Sequence, residues 1–158
     1  MKEKEINTIK RLSKDEIKKF IKETVHKEYY GYDTNCATVT LICLSYIFEI
    51  ILEEQLIDAA SGMHGAGGYR AQCGLVEGSL MFLGIYGNKI GLRREEIIKH
   101  CFNYGKEFEE NFGSLTCREL RPGGFNKEDP PHLCEDLTNK SILFTCEFIR
   151  KNFAMSID

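Results

Sequence analysis

No run of apolar residues in this chain is long enough to cross a membrane. The longest weakly charged stretch, Asn35 to Phe48, is closed by Glu49 and suits a buried helix instead. Charge of one sign is not in excess either: a net charge of -3 offers no footprint for nucleic acid or for an acidic membrane surface. No CxxC pair occurs, which excludes a zinc ribbon and a ferredoxin-type cluster motif, and without CxxCH there is no support for covalent c-type haem. A G-x-x-x-x-G-K-[ST] phosphate loop, a GxSxG elbow, an HExxH helix and a paired-carboxylate signature are missing as well. No internal repeat, low-complexity segment or linker divides the chain. The N-terminal MKEKEINTIKRLSKDE is all charge with no apolar run, so no signal peptide and a cytoplasmic location are expected.

What is present is cysteine. The chain of 158 residues carries seven, an odd number. In a protein expected to stay in a reducing compartment, so many thiols point to metal binding or redox chemistry rather than to a disulfide frame. The length fits one domain with a sizeable core.

Hydrophobic periodicity predicts an all-α fold: a single-domain bundle of five to six helices, with a Gly-rich loop before a central Cys73 helix. Residues 1–12 form a polar tail, and residues 13–158 form the domain. Ser13 and Glu16 make a capping box for a helix with Ile17, Phe20, Ile21, Val25 and Tyr29 on one stripe, stopped by Gly31. Thr34 or Asn35 caps an apolar helix from Cys36 to about Leu52, which should be central. A short helix over about residues 53–60 leads to the loop. The Cys73 helix runs to about Tyr86, and Arg93 to Phe112 forms the next, ended by Gly113. Residues 121–132 are the one long loop, and Pro130 and Pro131 feed a last helix bearing Leu137, Ser141, Phe144 and Phe148 on one face.

The chain is organised around Ser61 to Gly87, SGMHGAGGYRAQCGLVEGSLMFLGIYG. Gly62, Gly65, Gly67 and Gly68 permit a tight turn or close approach to the backbone. Cys73 then opens a helix, where unpaired N–H groups and partial positive charge favour a thiolate; its thiol is expected to titrate below the ordinary range of about 8.5. Gly74 and Gly78 share one helix face. Each costs about 1 kcal/mol against Ala, so close approach of another helix or a cofactor is expected there.

Four cysteines share a setting at or near a predicted helix start: Cys36, Cys73, Cys117 and Cys134. Cys43, Cys101 and Cys146 fall inside helices among apolar neighbours and read as small core residues. The four are expected to converge beside the Gly65–Gly68 loop, as catalytic thiols or as metal ligands.

The order of NCA around Cys36, Cys73-Gly74-Leu75-Val76-Glu77-Gly78 behind a Gly-rich loop, Cys117 in FGSLTCREL, and Cys134 resembles the bacterial and archaeal C_GCAxxG_C_C family of putative redox-active proteins. The resemblance covers roughly Asn35 to Phe148. It implies a shared role for the four cysteines. Leu75 stands where the family pattern has Ala, so more space is filled beside the helix start.

Other candidates surround this set. Arg70 could sit beside a thiolate or an anion. Glu77, on the same helix face as Cys73, could accept a proton, serve as a ligand or pair with Arg70. With Gly65, Gly67 and Gly68 these form the candidate cofactor-binding group. His64 is the histidine best placed for a ligand role, and His132 is a weaker one. His26 and His100 sit on charged helix surfaces and are expected to be solvated. Met63 and Met81 read as core packing.

Three functions remain open on these residues. The leading one is electron transfer, with the four thiolates holding an iron–sulfur cluster or a zinc ion, since soft thiolates select such centres. The second is a thiol–disulfide oxidoreductase with Cys73 as nucleophile and a second cysteine resolving it. The third is a small-molecule or anion-binding module with structural cysteines. Whether the chain is an enzyme is left open by the residues. The expected partners are a redox protein and a second copy of the chain.

Overall fold

The computed structural model describes residues 12–153; the polar tail assigned to residues 1–12 therefore lies outside the described residues except for Leu12. The fold is all-α. In chain order the helices are α1 (Lys14–Tyr32), α2 (Cys36–Ile47), α3 (Glu54–Ala59), α4 (Gly74–Lys89), α5 (Arg94–Phe112), α6 (Cys117–Leu120) and α7 (Glu135–Asn152). Five are long; α3 and α6 are short, which takes the total past the five or six that periodicity suggests.

Helix α1 starts where its capping box requires. Ser13 Oγ accepts from the Glu16 N–H at 3.2 Å, and the Ser13 N–H donates to Glu16 Oε2 at 2.7 Å. Such a cap is worth about 1 kcal/mol. Its stripe of Ile17, Ile21, Val25 and Tyr29 is buried. Gly31 does not stop the helix: it is helical, and Asp33 in the left-handed region closes the turn.

The centre of the bundle is the pair α2 and α4. Helix α2 is apolar almost all round because it contacts α1, α4 and α7, and α4 in turn meets α5 and α7. Asn35 caps α2 through the Thr38 N–H at 2.9 Å. Its amide also donates to the carbonyls of Ala60 and Ser61, tying the 3₁₀ turn Ala60–Gly62 to the helix start. Helix α2 ends at Ile47, short of the expected Leu52, since Glu49 takes a positive φ of 52° and reverses the chain. Helix α4 runs past the expected Tyr86 to Lys89.

Gly74 and Gly78 have the packing reason their cost demands. A Cβ on Gly78 would lie 2.6 Å from the carbonyl oxygen of Ala37, and one on Gly74 would lie 2.7 Å from that of Met63 and 3.0 Å from Cys36 Cβ. Backbone-to-backbone contact of α4 with α2 thus sets the distance between the two helices that carry Cys73 and Cys36. The core is mainly aromatic and aliphatic and also holds a polar seam: Thr145 Oγ1 lies 3.0 Å from Ser79 Oγ and 2.9 Å from the Tyr104 hydroxyl, joining α4, α5 and α7.

Candidate functional site

Each of the four singled-out cysteines stands at a helix start. Cys36 is the first residue of α2 and Cys117 the first of α6, while Cys73 and Cys134 are the residues that cap α4 and α7. All four line a single cavity of about 210 Å³, although their helices are far apart in the chain.

Local backbone geometry brings them there. From Gly65 to Arg70 the chain turns sharply, with positive φ at Gly65, Ala66, Gly67, Gly68 and Arg70. It then runs antiparallel to the segment before α6 through one bridge, Gln72 to Thr116. The Cys73 N–H donates to Leu115 O at 2.8 Å, the Cys117 N–H to Ala71 O at 2.6 Å, and the Arg118 N–H to Arg70 O at 3.1 Å. Cys73 and Cys117 are therefore fixed side by side through their own main chains. Gly65 is needed beneath them, because a Cβ there would sit 3.2 Å from Cys117 Cβ and 3.3 Å from the Arg70 backbone.

Gly65, Gly68, Arg70 and His64 line the cavity, whereas Gly67 and Glu77 do not. Sequence reasoning missed several wall residues. Tyr29 closes it from α1, Leu120 and Leu137 supply apolar surface, and Phe125 and Arg121 come from the long loop. Leu75, buried, forms part of the wall as well. The guanidinium of Arg70 lies 3.8 Å from the centre of the Phe125 ring and that of Arg121 lies 4.6 Å from it. Arg121 also pairs with Asp129 at 3.2 Å. Nothing in the periodicity of residues 121–132 marks Phe125 or Arg121; only the tertiary position of the loop does.

The electrostatics overturn one expectation. The Cys73 thiol is pushed up to about 12, not down. Burial is the main cause. A hydrogen bond from the Leu75 backbone opposes it, and Cys36, Cys117 and Cys134 add to it as like charges. Desolvation penalises a thiolate more than a helix start rewards it. Burial likewise raises Cys36 and Cys117 and takes Cys134 to about 11. Arg121 acts against the rise at all three of those, and Arg70 acts at Cys117 rather than at Cys73.

Glu77 is not the partner of Arg70. It is buried, receives the Ala66 backbone N–H, and feels His64; its Oε2 has no hydrogen-bond partner. Burial raises its carboxyl above the usual range. His132 lines the cavity rim, stacked on the Tyr29 ring at 4.5 Å and paired with Asp33 at 3.1 Å. His26 is exposed and pairs with Glu135. His100 is half-buried against Phe153, with its Nδ1 buried and unpartnered, so it is not the solvated surface residue expected.

Cys43 and Cys146 are buried in the core and Cys101 is half-buried; none lines the cavity. All seven cysteines are free. Among the described residues no three His, Cys, Asp or Glu side chains, as placed, could hold a metal ion. No described helix is long and apolar enough to cross a membrane.

A family model described as "Putative redox-active protein (C_GCAxxG_C_C)" matches residues 34–148. The chain belongs to the C_GCAxxG_C_C family. No curated protein and no solved structure matched. In this C_GCAxxG_C_C protein the matched span holds all four cavity cysteines, and Tyr29 lies outside it.

Proposed function

We propose that Cys36, Cys73, Cys117 and Cys134 hold an iron–sulfur cluster through which this protein passes electrons to and from a partner redox protein. The observation that carries the reading is the single cavity onto which four helix-start cysteines open. Membership of a family described as redox-active supports it.

The donor set fits a cluster better than a zinc ion. No three of these side chains, as placed, close on one metal ion. The cavity of about 210 Å³ is many times the roughly 10–15 Å³ that one water needs on the same measure, which suits a multi-atom group. Thiolate sulfurs are the donors such a group selects. When bound, the cluster would supply a centre that gains and loses an electron.

The rest of the work falls to the chain. Leu75, Leu120, Leu137 and Phe125 give the cavity an apolar wall that would limit water at the sulfurs. Arg70 and Arg121, stacked near Phe125, bring positive charge to the side where four thiolates would accumulate negative charge. Without that group the four thiols remain protonated, so ligation must release their protons. The same protonation weakens the thiol–disulfide reading, because the thiolate is the attacking species and Cys73 holds its proton to about 12.

Anaerobic purification with iron and sulfide analysis and an absorption spectrum tests the proposal. Expected are iron and acid-labile sulfide, visible absorption that bleaches on reduction, and loss of iron when any of the four is replaced by Ser. A colourless protein that takes up no iron when supplied with iron and sulfide overturns it. If that protein's thiol count also changes by two on reduction, exchange chemistry takes its place.

A further inference from the structure

Tyr29 is buried, with 2 % of its surface exposed, yet it carries a hydroxyl into the cavity wall. That hydroxyl lies 3.5 Å from Cys36 Sγ and 2.7 Å from Thr138 Oγ1. Thr138 is fully buried on α7, one turn beyond Cys134, and its N–H donates to the Cys134 carbonyl at 2.7 Å. His132 stacks on the tyrosine ring, with the ring centres 4.5 Å apart. A tyrosine on a core stripe needs no such contacts; phenylalanine would fill the same space.

A phenol has one proton to give. A sulfur that is ionised or bound to a metal can only accept. With Cys36 in either of those states the order of the chain is set: Thr138 donates to the Tyr29 oxygen, and Tyr29 donates to Cys36 Sγ. We propose that Tyr29, backed by Thr138, is the positioning residue of Cys36 and sets the reduction potential of the centre its sulfur belongs to. A donor on sulfur stabilises the electron-richer state, so hydrogen bonds to the sulfurs raise the potential. Of the four cysteines, Cys36 is the one whose sulfur receives a side-chain hydroxyl among the described hydrogen bonds.

This inference deepens the electron-transfer reading and rests on there being a redox couple at the four cysteines, but the sign of its effect is independent of the cluster. In a dithiol couple the reduced sulfurs are again the electron-richer ones. There, oxidation joins Cys36 and a second cavity cysteine in one S–S bond and gives two electrons and two protons to glutathione disulfide, which leaves as two glutathione thiols.

The experiment is a midpoint determination on the natural protein, Tyr29→Phe and Tyr29→Phe/Thr138→Val. It is read optically on the iron-loaded protein, or by equilibration with glutathione where no iron is taken up. Iron content, measured separately, decides the cluster; the midpoint decides Tyr29. The expected result is a midpoint more negative in Tyr29→Phe than in the natural protein, with unchanged iron content and unchanged helical signal. The double variant, which leaves no buried hydroxyl without its partner, should show the same shift even if the single variant is less stable. Equal midpoints in all three proteins, or no redox couple at the four cysteines at all, overturn the inference.

Discussion

Gly78 of α4 and Ala37 of α2 touch through their backbones, with room for no Cβ: one built on Gly78 would lie 2.6 Å from the Ala37 carbonyl oxygen and 3.0 Å from its Cα. Since the obstacle is main chain, Gly78→Ala cannot be absorbed by a side-chain rotation. Overpacking of this kind costs about 1–3 kcal/mol. The variant should unfold at a lower urea concentration, and by pushing α2 outward it should also speed alkylation of Cys36. A variant as stable as the natural protein would mean that the two helices are free to separate.

The polar seam around Thr145 makes a second prediction. Its hydroxyl meets Ser79 and Tyr104 and also donates to the Ser141 carbonyl at 2.9 Å. Thr145→Val keeps the shape and strands two buried hydroxyls, each worth about 1–3 kcal/mol when unsatisfied. Urea denaturation should show a loss of about 2–6 kcal/mol for the two together, while the reactivity of the four cavity thiols stays as it was. No loss would show that Ser79 and Tyr104 can satisfy each other.

Stability of the metal-free protein should fall in alkali. Cys73 and Cys146 are raised to about 12 and Cys134 to about 11, chiefly by burial. Unfolded cysteine ionises near about 8.5. Below that value both states hold their protons and the burial is harmless. Above it the unfolded chain loses protons that the folded one keeps, so folding free energy declines from about pH 8.5 up to the folded values. Urea midpoints at pH 7 and pH 10 should therefore differ, with the higher pH the less stable. Replacing Cys73 and Cys134 by Ser should flatten the difference, and an unchanged slope would place the effect elsewhere.

Cys43 and Cys146 should behave as core atoms. Both are buried in apolar surroundings. Replacement by Ala should cost about 1 kcal/mol and leave iron uptake and the thiol chemistry of the other four intact. Labelling by an alkylating reagent should reach Cys43 and Cys146 last. Labelling of these two ahead of Cys36 and Cys117 would reverse the division between packed and functional thiols.

Local signals in the chain were enough to place most helices and to put the four cavity cysteines at helix starts. Ser13 with Glu16 and Asn35 are caps whose chemistry acts within a turn, so their meaning is visible in a few residues. Gly74 and Gly78 declared a close neighbour by costing helix stability. What stayed hidden depends on distant parts of the chain meeting. Tyr29 looks like one more residue of an apolar stripe until α7 brings Thr138 to its hydroxyl. Arg121 and Phe125 read as loop residues until the loop folds over the cavity. The direction of the Cys73 shift was missed for a related reason: a helix start is legible locally, whereas the depth of burial that outweighs it is a property of the whole bundle.

The bridge between Gln72 and Thr116 carries a consequence for how the molecule matures. It closes a loop of chain that contains all of α4 and α5, and such closure has an entropic cost that only tertiary contacts repay. Cys73 and Cys117 are therefore expected to meet after both helices have docked. Until then their thiols are accessible to oxidants and free to find wrong partners. A nascent chain meeting oxygen would be caught as mispaired disulfides, and one folding under reducing conditions would reach the cavity with every thiol intact.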